Sequence, residues 1–138
     1  MDNSGSMSGT PLDDAKLAAE ACIDHMDPAT QKLAVITYSD SANVDVGLTS
    51  AQATLTSGVR EIQSAGGTNI SAGLRAGLET LSDVSGTHAI ILLTDGQDGN
   101  PDEMDETIQK AQQAGVAIYA VGFGDVNSEY MSNIAQST

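Results

Sequence analysis

The sequence has few aromatic residues and one cysteine. Its 138 residues include no Trp, one Phe and three Tyr, so we expect an aliphatic core and little stacking on bases or sugars. The lone Cys22 excludes an internal disulfide and a thiolate metal cage, and we expect it to be buried in a helix. No apolar run approaches the roughly 20 residues of a membrane-spanning helix, and no signal peptide is visible. The compartment is left open.

Basic residues are also scarce. Five Lys and Arg stand against nineteen Asp and Glu, which gives a formal charge of -14. A charge of this sign disfavours binding to nucleic acid and to anionic membranes, and it favours a cation or a basic partner. We interpret most of the carboxylates as a solvated surface, so that only a few need to take part in a site.

Short apolar runs alternate with amphipathic segments along the chain. The runs predict strands at 33–38, 44–48, 88–93 and 116–121. Apolar residues at steps of three and four predict helices over 11–27 with Thr10 as N-cap, from a Ser50 cap to about 62, over 70–81, around 104–111 and from about 128 to 135. This alternation predicts a single α/β domain with a doubly wound, mostly parallel sheet and helices on both faces.

Oxygen donors occur in three separate loops. Asp2, Ser4 and Ser6 precede the first helix, Thr68 follows a pair of glycines before the third, and Asp95 directly follows a strand. Loops beyond the carboxyl ends of the strands converge in an open α/β sheet, so we expect these five side chains to share one small space. Hydroxyl and carboxylate oxygens suit Mg²⁺ or Mn²⁺, with Ca²⁺ less favoured. An ion held largely by neutral hydroxyls keeps positive charge and attracts an incoming carboxylate.

These loops contain three ordered motifs, which are Asp2-x-Ser4-x-Ser6, Gly66-Gly67-Thr68-Asn69 and Leu92-Leu93-Thr94-Asp95-Gly96. Over essentially the whole chain they resemble the von Willebrand factor type A domain and its metal-ion-dependent adhesion site. The resemblance implies that Ser4, Ser6 and Thr68 are hydroxyl ligands, and that Asp2 and Asp95 hold the ion directly or through water. It also implies a protein-binding module of adhesion or assembly, without catalytic activity, that captures an Asp or Glu of its partner.

Other interpretations remain open at this point. Ser6 and Thr68 could instead merely cap helices, and Asp95 could be a turn or N-cap residue. A metal-dependent phosphohydrolase using Asp2 or Asp95 is an alternative function, although no Lys, Arg or well-placed His lies near them in the sequence. A structural assembly subunit with an empty metal site is another. The acidic stretch 95–103 has the wrong spacing for a calcium loop, and His25 and His88 are interpreted as structural.

The chain departs from the family at its beginning, where only Met1 precedes Asp2 and the family has an apolar central strand. We therefore expect residues 1–138 to be one domain truncated at this strand and at the C-terminus. One possibility is that the domain belongs to a longer polypeptide, which would be secreted or at the cell surface. The alternatives are that a neighbouring chain donates the missing strand, or that copies of this chain associate through their open sheet edges. We also expect Asp2 and Ser4 to be weakly anchored.

Overall fold

The structure is a computed structural model that describes residues 1–96, 101–123, 131–132 and 134–135. A 3₁₀ turn at Gly5–Met7 is followed by α1 (Thr10–His25), β1 (Leu33–Tyr38), β2 (Ala42–Thr49), α2 (Gln52–Glu61), α3 (Ile70–Leu81), β3 (Ala89–Thr94), α4 (Pro101–Ala114) and β4 (Ala117–Gly122). The predicted strands and the first four predicted helices are confirmed. Residues 131–132 and 134–135 of the last predicted helix are helical, and the rest of it lies outside the described residues. Residues 97–100 of the acidic stretch also lie outside them.

The first residues of the chain join two pairs of strands. β1 and β2 form an antiparallel hairpin, whereas β3 and β4 run parallel. Between the two pairs, Asp2 forms a parallel bridge with Tyr38, and its N–H donates to the carbonyl of Leu93 at 2.7 Å. Residues 1–3 therefore occupy the position of a central strand at its carboxyl end. Among the described residues, the strand pairs share no other ladder, and completion of this position by a further strand stays a prediction.

Backbone bonds on both sides hold this segment in place. The Met1 amine donates to the carbonyl of Ile36 at 2.7 Å, the Tyr38 N–H donates to the carbonyl of Met1 at 3.0 Å, and the Asn3 N–H donates to the carbonyl of Tyr38 at 3.0 Å. Asp2 is 0% and Ser4 1% exposed. The expectation that Asp2 and Ser4 are weakly anchored is wrong, because residues 1–3 are hydrogen-bonded to β1 on one side and to β3 on the other.

Helices cover the strands on two faces. Val35 and Tyr38 are three residues apart on β1, so their side chains point to opposite faces, and they belong to different clusters. One cluster joins α1 and α2 to β1 and comprises Met7, Leu12, Ala15, Ile23, Met26, Val35, Leu55, Val59 and Ile62. The other joins α3 and α4 to the strands and comprises Tyr38, Ile70, Leu74, Leu92, Met104, Ile108, Ala111, Ile118 and Ile134. The doubly wound α/β fold and its largely aliphatic core are confirmed.

The helix starts differ in detail from the predicted caps. Gly9, with φ 83°, is the N-cap of α1, and Thr10 is already helical. Ala51 rather than Ser50 is the N-cap of α2, and its N–H donates to the hydroxyl of Thr49 at 3.1 Å. The hydroxyl near the start of α2 thus belongs to Thr49, two residues before the N-cap, and Ser50 is not the N-cap that the sequence predicts.

Cys22 is exposed, so its predicted burial is wrong. The buried stripe of α1 includes Leu12, Ala15 and Ile23, which places Cys22 one position beside the stripe. No helix in the described part of the chain combines the length and apolarity needed to cross a bilayer.

Candidate metal centre

Asp2 is the buried centre of a hydrogen-bond network. Its Oδ1 accepts the N–H of Ser4 at 2.9 Å, and its Oδ2 accepts the hydroxyl of Thr94 at 2.6 Å. Asp2 and Thr94 are both 0% exposed. A buried carboxylate requires such donors, since burial without them is costly. The network therefore joins the N-terminal loop to the end of β3.

The two serines continue this network towards the surface. The Oγ atoms of Ser4 and Ser6 lie 3.0 Å apart, and the hydroxyl of Ser6 donates to Oδ1 of Asp95 at 3.0 Å. Ser4 is buried, Asp95 half-buried and Ser6 exposed. The spacing of two residues lets the serine side chains meet, as the motif predicts. The structure thus brings together Asp2, Ser4, Ser6 and Asp95, although the last two are 89 positions apart.

Thr68 enters from the loop before α3. A Cβ built on Gly96 would lie 3.9 Å from Cγ2 of Thr68, so this threonine lies beside the residue that follows Asp95. The same loop is bonded to the N-terminal loop, because the Gly5 N–H donates to the carbonyl of Gly66 at 2.9 Å. Thr68 therefore lies beside the end of the segment that carries Asp95, in a loop that is bonded to the N-terminal loop.

Helix capping does not account for these hydroxyls. The N-cap of α3 is Asn69, whose side chain accepts the N–H of Ala72 at 2.9 Å, so Thr68 is not the cap. Ser4 precedes the 3₁₀ turn but makes no side-chain cap bond there. Ser6 lies inside the 3₁₀ turn, and the N-cap of α1 is Gly9. The predicted alternative that Ser6 and Thr68 merely cap helices is therefore not what the structure shows.

Two residues of this region were not assigned a role from the sequence. Thr94 bonds Asp2, and Asp40, at the tip of the β1–β2 hairpin, accepts the N–H of Gly67 at 3.0 Å. The signal for Thr94 was its place beside Asp95 at the end of a buried strand. Asp40 gave no signal beyond a polar turn, because its contact is with a loop distant in sequence.

The loops of this centre carry no basic side chain. The basic residues are Lys16, Lys32, Arg60, Arg75 and Lys110, and none falls in the loops 1–9, 39–41, 63–69 or 94–96. Three of them pair with glutamates on α1 and α4. Among the described residues, no group of three or more His, Cys, Asp or Glu side chains could hold a metal. A cation held here must therefore use hydroxyls as well as carboxylates.

Known proteins share this sequence pattern and fold. The family model of the von Willebrand factor type A domain matches residues 1–138 of the chain. The chain belongs to this family. A von Willebrand factor type A structure from Catenulispora acidiphila has a TM-score of 0.88 at 26% identity, covering 99% of this chain and 35% of that one. Proximal thread matrix protein 1 of the mussel byssus, solved with zinc in its metal-ion-dependent adhesion site, has a TM-score of 0.81 at 26% identity, covering 97% and 37%.

An uncharacterised protein of Synechocystis is 29% identical over 144 residues, covering 99% of this chain and 34% of that protein. The chain thus spans about a third of the length of each of these relatives. Von Willebrand factor type A domains are generally modules of protein interaction and adhesion, and some depend on metal. Relatives of this type are mostly non-enzymatic.

Proposed function

We propose that this von Willebrand factor type A domain binds a divalent cation through Asp2, Ser4, Ser6, Thr68 and Asp95, and that the ion captures an acidic side chain of a protein partner. The spacing of the oxygens carries this proposal. An octahedral ion with bonds of about 2.1 Å sets neighbouring ligand oxygens about 3.0 Å apart. Ser4 Oγ to Ser6 Oγ and Ser6 Oγ to Asp95 Oδ1 are both 3.0 Å. This separation is that of hydrogen-bonded hydroxyls and also that of adjacent ligands, so the three oxygens can bind one ion without moving apart.

Asp2 has a different role from the serines. Each of its carboxylate oxygens accepts one hydrogen bond, from Ser4 N–H and from the Thr94 hydroxyl. Each oxygen retains a lone pair for a metal-bound water or for the ion. Asp2 would thus orient the loop that carries the serines and add negative charge beneath the ion. Thr68 would supply a further hydroxyl from the loop before α3.

The charge balance supports capture of a carboxylate. Neutral hydroxyls from Ser4, Ser6 and Thr68 leave an ion more of its positive charge than a cage of carboxylates would. The loops 1–9, 39–41, 63–69 and 94–96 contain no Lys or Arg. A bound ion would then be the strongest attraction for an acidic group on this side of the molecule.

The choice among ions follows from the same donor set. Mg²⁺ takes six oxygens and keeps waters where the protein supplies fewer, whereas Ca²⁺ takes six to eight at longer distances. We therefore expect Mg²⁺ or Mn²⁺ to be preferred over Ca²⁺. The mussel relative with zinc in its adhesion site supports a divalent ion at this position without deciding which one.

Isothermal titration of the chelator-stripped protein with each ion tests the site. We expect saturable binding of Mg²⁺ and Mn²⁺ that is lost when both Ser4→Ala and Ser6→Ala are introduced. Ser8→Ala is the matched control, because Ser8 is exposed and lies two residues beyond Ser6. Circular dichroism should show the same fold in all three proteins. Equal binding by the double variant and the wild type would refute the ligand assignment.

Partner capture requires a second experiment. Proteins retained by the immobilised domain in Mg²⁺ should be released by excess chelator and should not bind the Ser4 and Ser6 double variant. Retention that is unchanged in chelator would falsify metal-dependent capture. Turnover of a generic phosphate ester with Mg²⁺ would instead favour the phosphohydrolase alternative, for which the site loops offer no basic side chain.

A further inference from the structure

The tip of the β1–β2 hairpin holds the loop that carries Thr68. The N–H of Asn69 donates to the carbonyl of Ser39 at 2.7 Å, and the N–H of Gly67 donates to Oδ1 of Asp40 at 3.0 Å. These two bonds lie on either side of Thr68. Of the two, the bond to Asp40 is made by a side chain, so a single substitution can remove it while leaving the backbone unchanged.

The pair of glycines before Thr68 fits closely against this carboxylate. A Cβ added to Gly66 would lie 2.5 Å from Oδ2 of Asp40, and one added to Gly67 would lie 2.6 Å from Oδ1. Gly66 also has φ 78°, a conformation that favours glycine. The glycines therefore let the Asp40 carboxylate rest on the loop backbone, in addition to the turn they make.

We propose that Asp40 is a positioning residue for the metal centre. By accepting the Gly67 N–H, its carboxylate sets the loop that presents the Thr68 hydroxyl to the ion. This inference rests on the proposed metal site. Asp40 acts through its hydrogen bond rather than through its charge, since it is exposed and the field of an exposed carboxylate is screened by water and salt.

Two substitutions separate the hydrogen bond from the charge. Asp40→Asn removes the charge but keeps an oxygen that can accept the Gly67 N–H, whereas Asp40→Ala removes both. Loss of a group that orients a metal ligand typically lowers affinity by 10–100-fold, so Asp40→Ala should weaken Mn²⁺ binding at least about 10-fold, and Asp40→Asn by less than about 3-fold. Asp83→Ala is the control, because it deletes an exposed carboxylate just beyond the far end of α3.

Titration of each protein with Mn²⁺ measures these affinities, and amide hydrogen exchange of the metal-free proteins measures the loop itself. Exchange at the Gly67 N–H should be faster in Asp40→Ala than in the wild type, Asp40→Asn or Asp83→Ala. Wild-type affinity in Asp40→Ala, or an equal loss in Asp40→Asn, would overturn the proposal. If the wild type binds no Mn²⁺, the proposed function fails, and the positioning role toward the ion fails with it. Exchange at Gly67 would then still show whether Asp40 holds the loop.

Discussion

Substitution of Thr94 by Val tests whether the buried bond to Asp2 stabilises the fold as well as the site. Val keeps the shape of the side chain and removes the hydroxyl, which donates to Oδ2 of Asp2 at 2.6 Å and accepts the N–H of Gly96 at 3.2 Å. Both residues are 0% exposed, so water cannot readily replace the lost donor. Hydrogen bonds to charged groups contribute roughly 1.5–3 kcal/mol. We expect Thr94→Val to lower the free energy of unfolding by about 2–3 kcal/mol.

Urea unfolding in excess chelator measures this loss without a contribution from metal. Each kcal/mol corresponds to roughly 2–4 °C in the melting temperature of a domain near this size, so a thermal melt should fall by about 4–12 °C. Thr107→Val is a matched control. Thr107 is 1% exposed, and its hydroxyl donates to the neutral carbonyl of Glu103 at 2.8 Å. Because this acceptor carries no charge, the control should lose less than about 1.5 kcal/mol.

Thr94→Ser completes the comparison, because it restores the donor and removes only a methyl group. It should recover most of the stability that Thr94→Val loses. Equal losses in Thr94→Val and Thr107→Val would refute the argument that the charge of the Asp2 carboxylate makes its bond the stronger one. A loss in Thr94→Ser as large as that in Thr94→Val would show that the buried methyl group contributes as much to stability as the hydroxyl, so that the bond to Asp2 is not the dominant contribution of Thr94.

Two further predictions concern packing and pH. A Cβ on Gly73 would lie 2.4 Å from the ring of the buried Tyr38, whereas one on Gly77 would lie 3.0 Å from the mobile end of an isoleucine. Gly73→Ala should therefore destabilise the protein by about 1–3 kcal/mol, and Gly77→Ala should be neutral or stabilise it by up to about 1 kcal/mol. Urea titrations that show effects of the same sign and size would contradict this. The Asp27 carboxylate accepts a backbone N–H and a threonine hydroxyl, which hold its pKa below 3.8. The Asp27 carboxylate thus contributes its full stabilisation above pH 3.8, and this contribution is lost as the pH falls through the lower pKa of the folded state. The difference in urea midpoint between the wild type and Asp27→Asn should therefore shrink as the pH is lowered. A difference that stays constant with pH would contradict this prediction.

Local patterns were sufficient for most of the fold. The aliphatic run of β3 and the apolar steps of α3 are signals of buried strand and helix that depend only on neighbouring residues. Cys22 shows the limit of such patterns. Cys22 and Ile23 each lie three or four residues after an apolar residue of α1, so the spacing alone does not tell which of the two is buried. Packing against α2 and β1 places Ile23 in the core and leaves Cys22 exposed.

The five candidate ligands could be predicted without any knowledge of the fold, because oxygen donors in three loops and the family motifs both point to them. The way in which these residues are held could not be predicted. Asp2 pairs with strands on both sides, Thr94 bonds it across 92 positions, and Asp40 supports the loop of Thr68 across 27. These contacts have no local period, because they arise where chain segments distant in sequence meet at the ends of the strands.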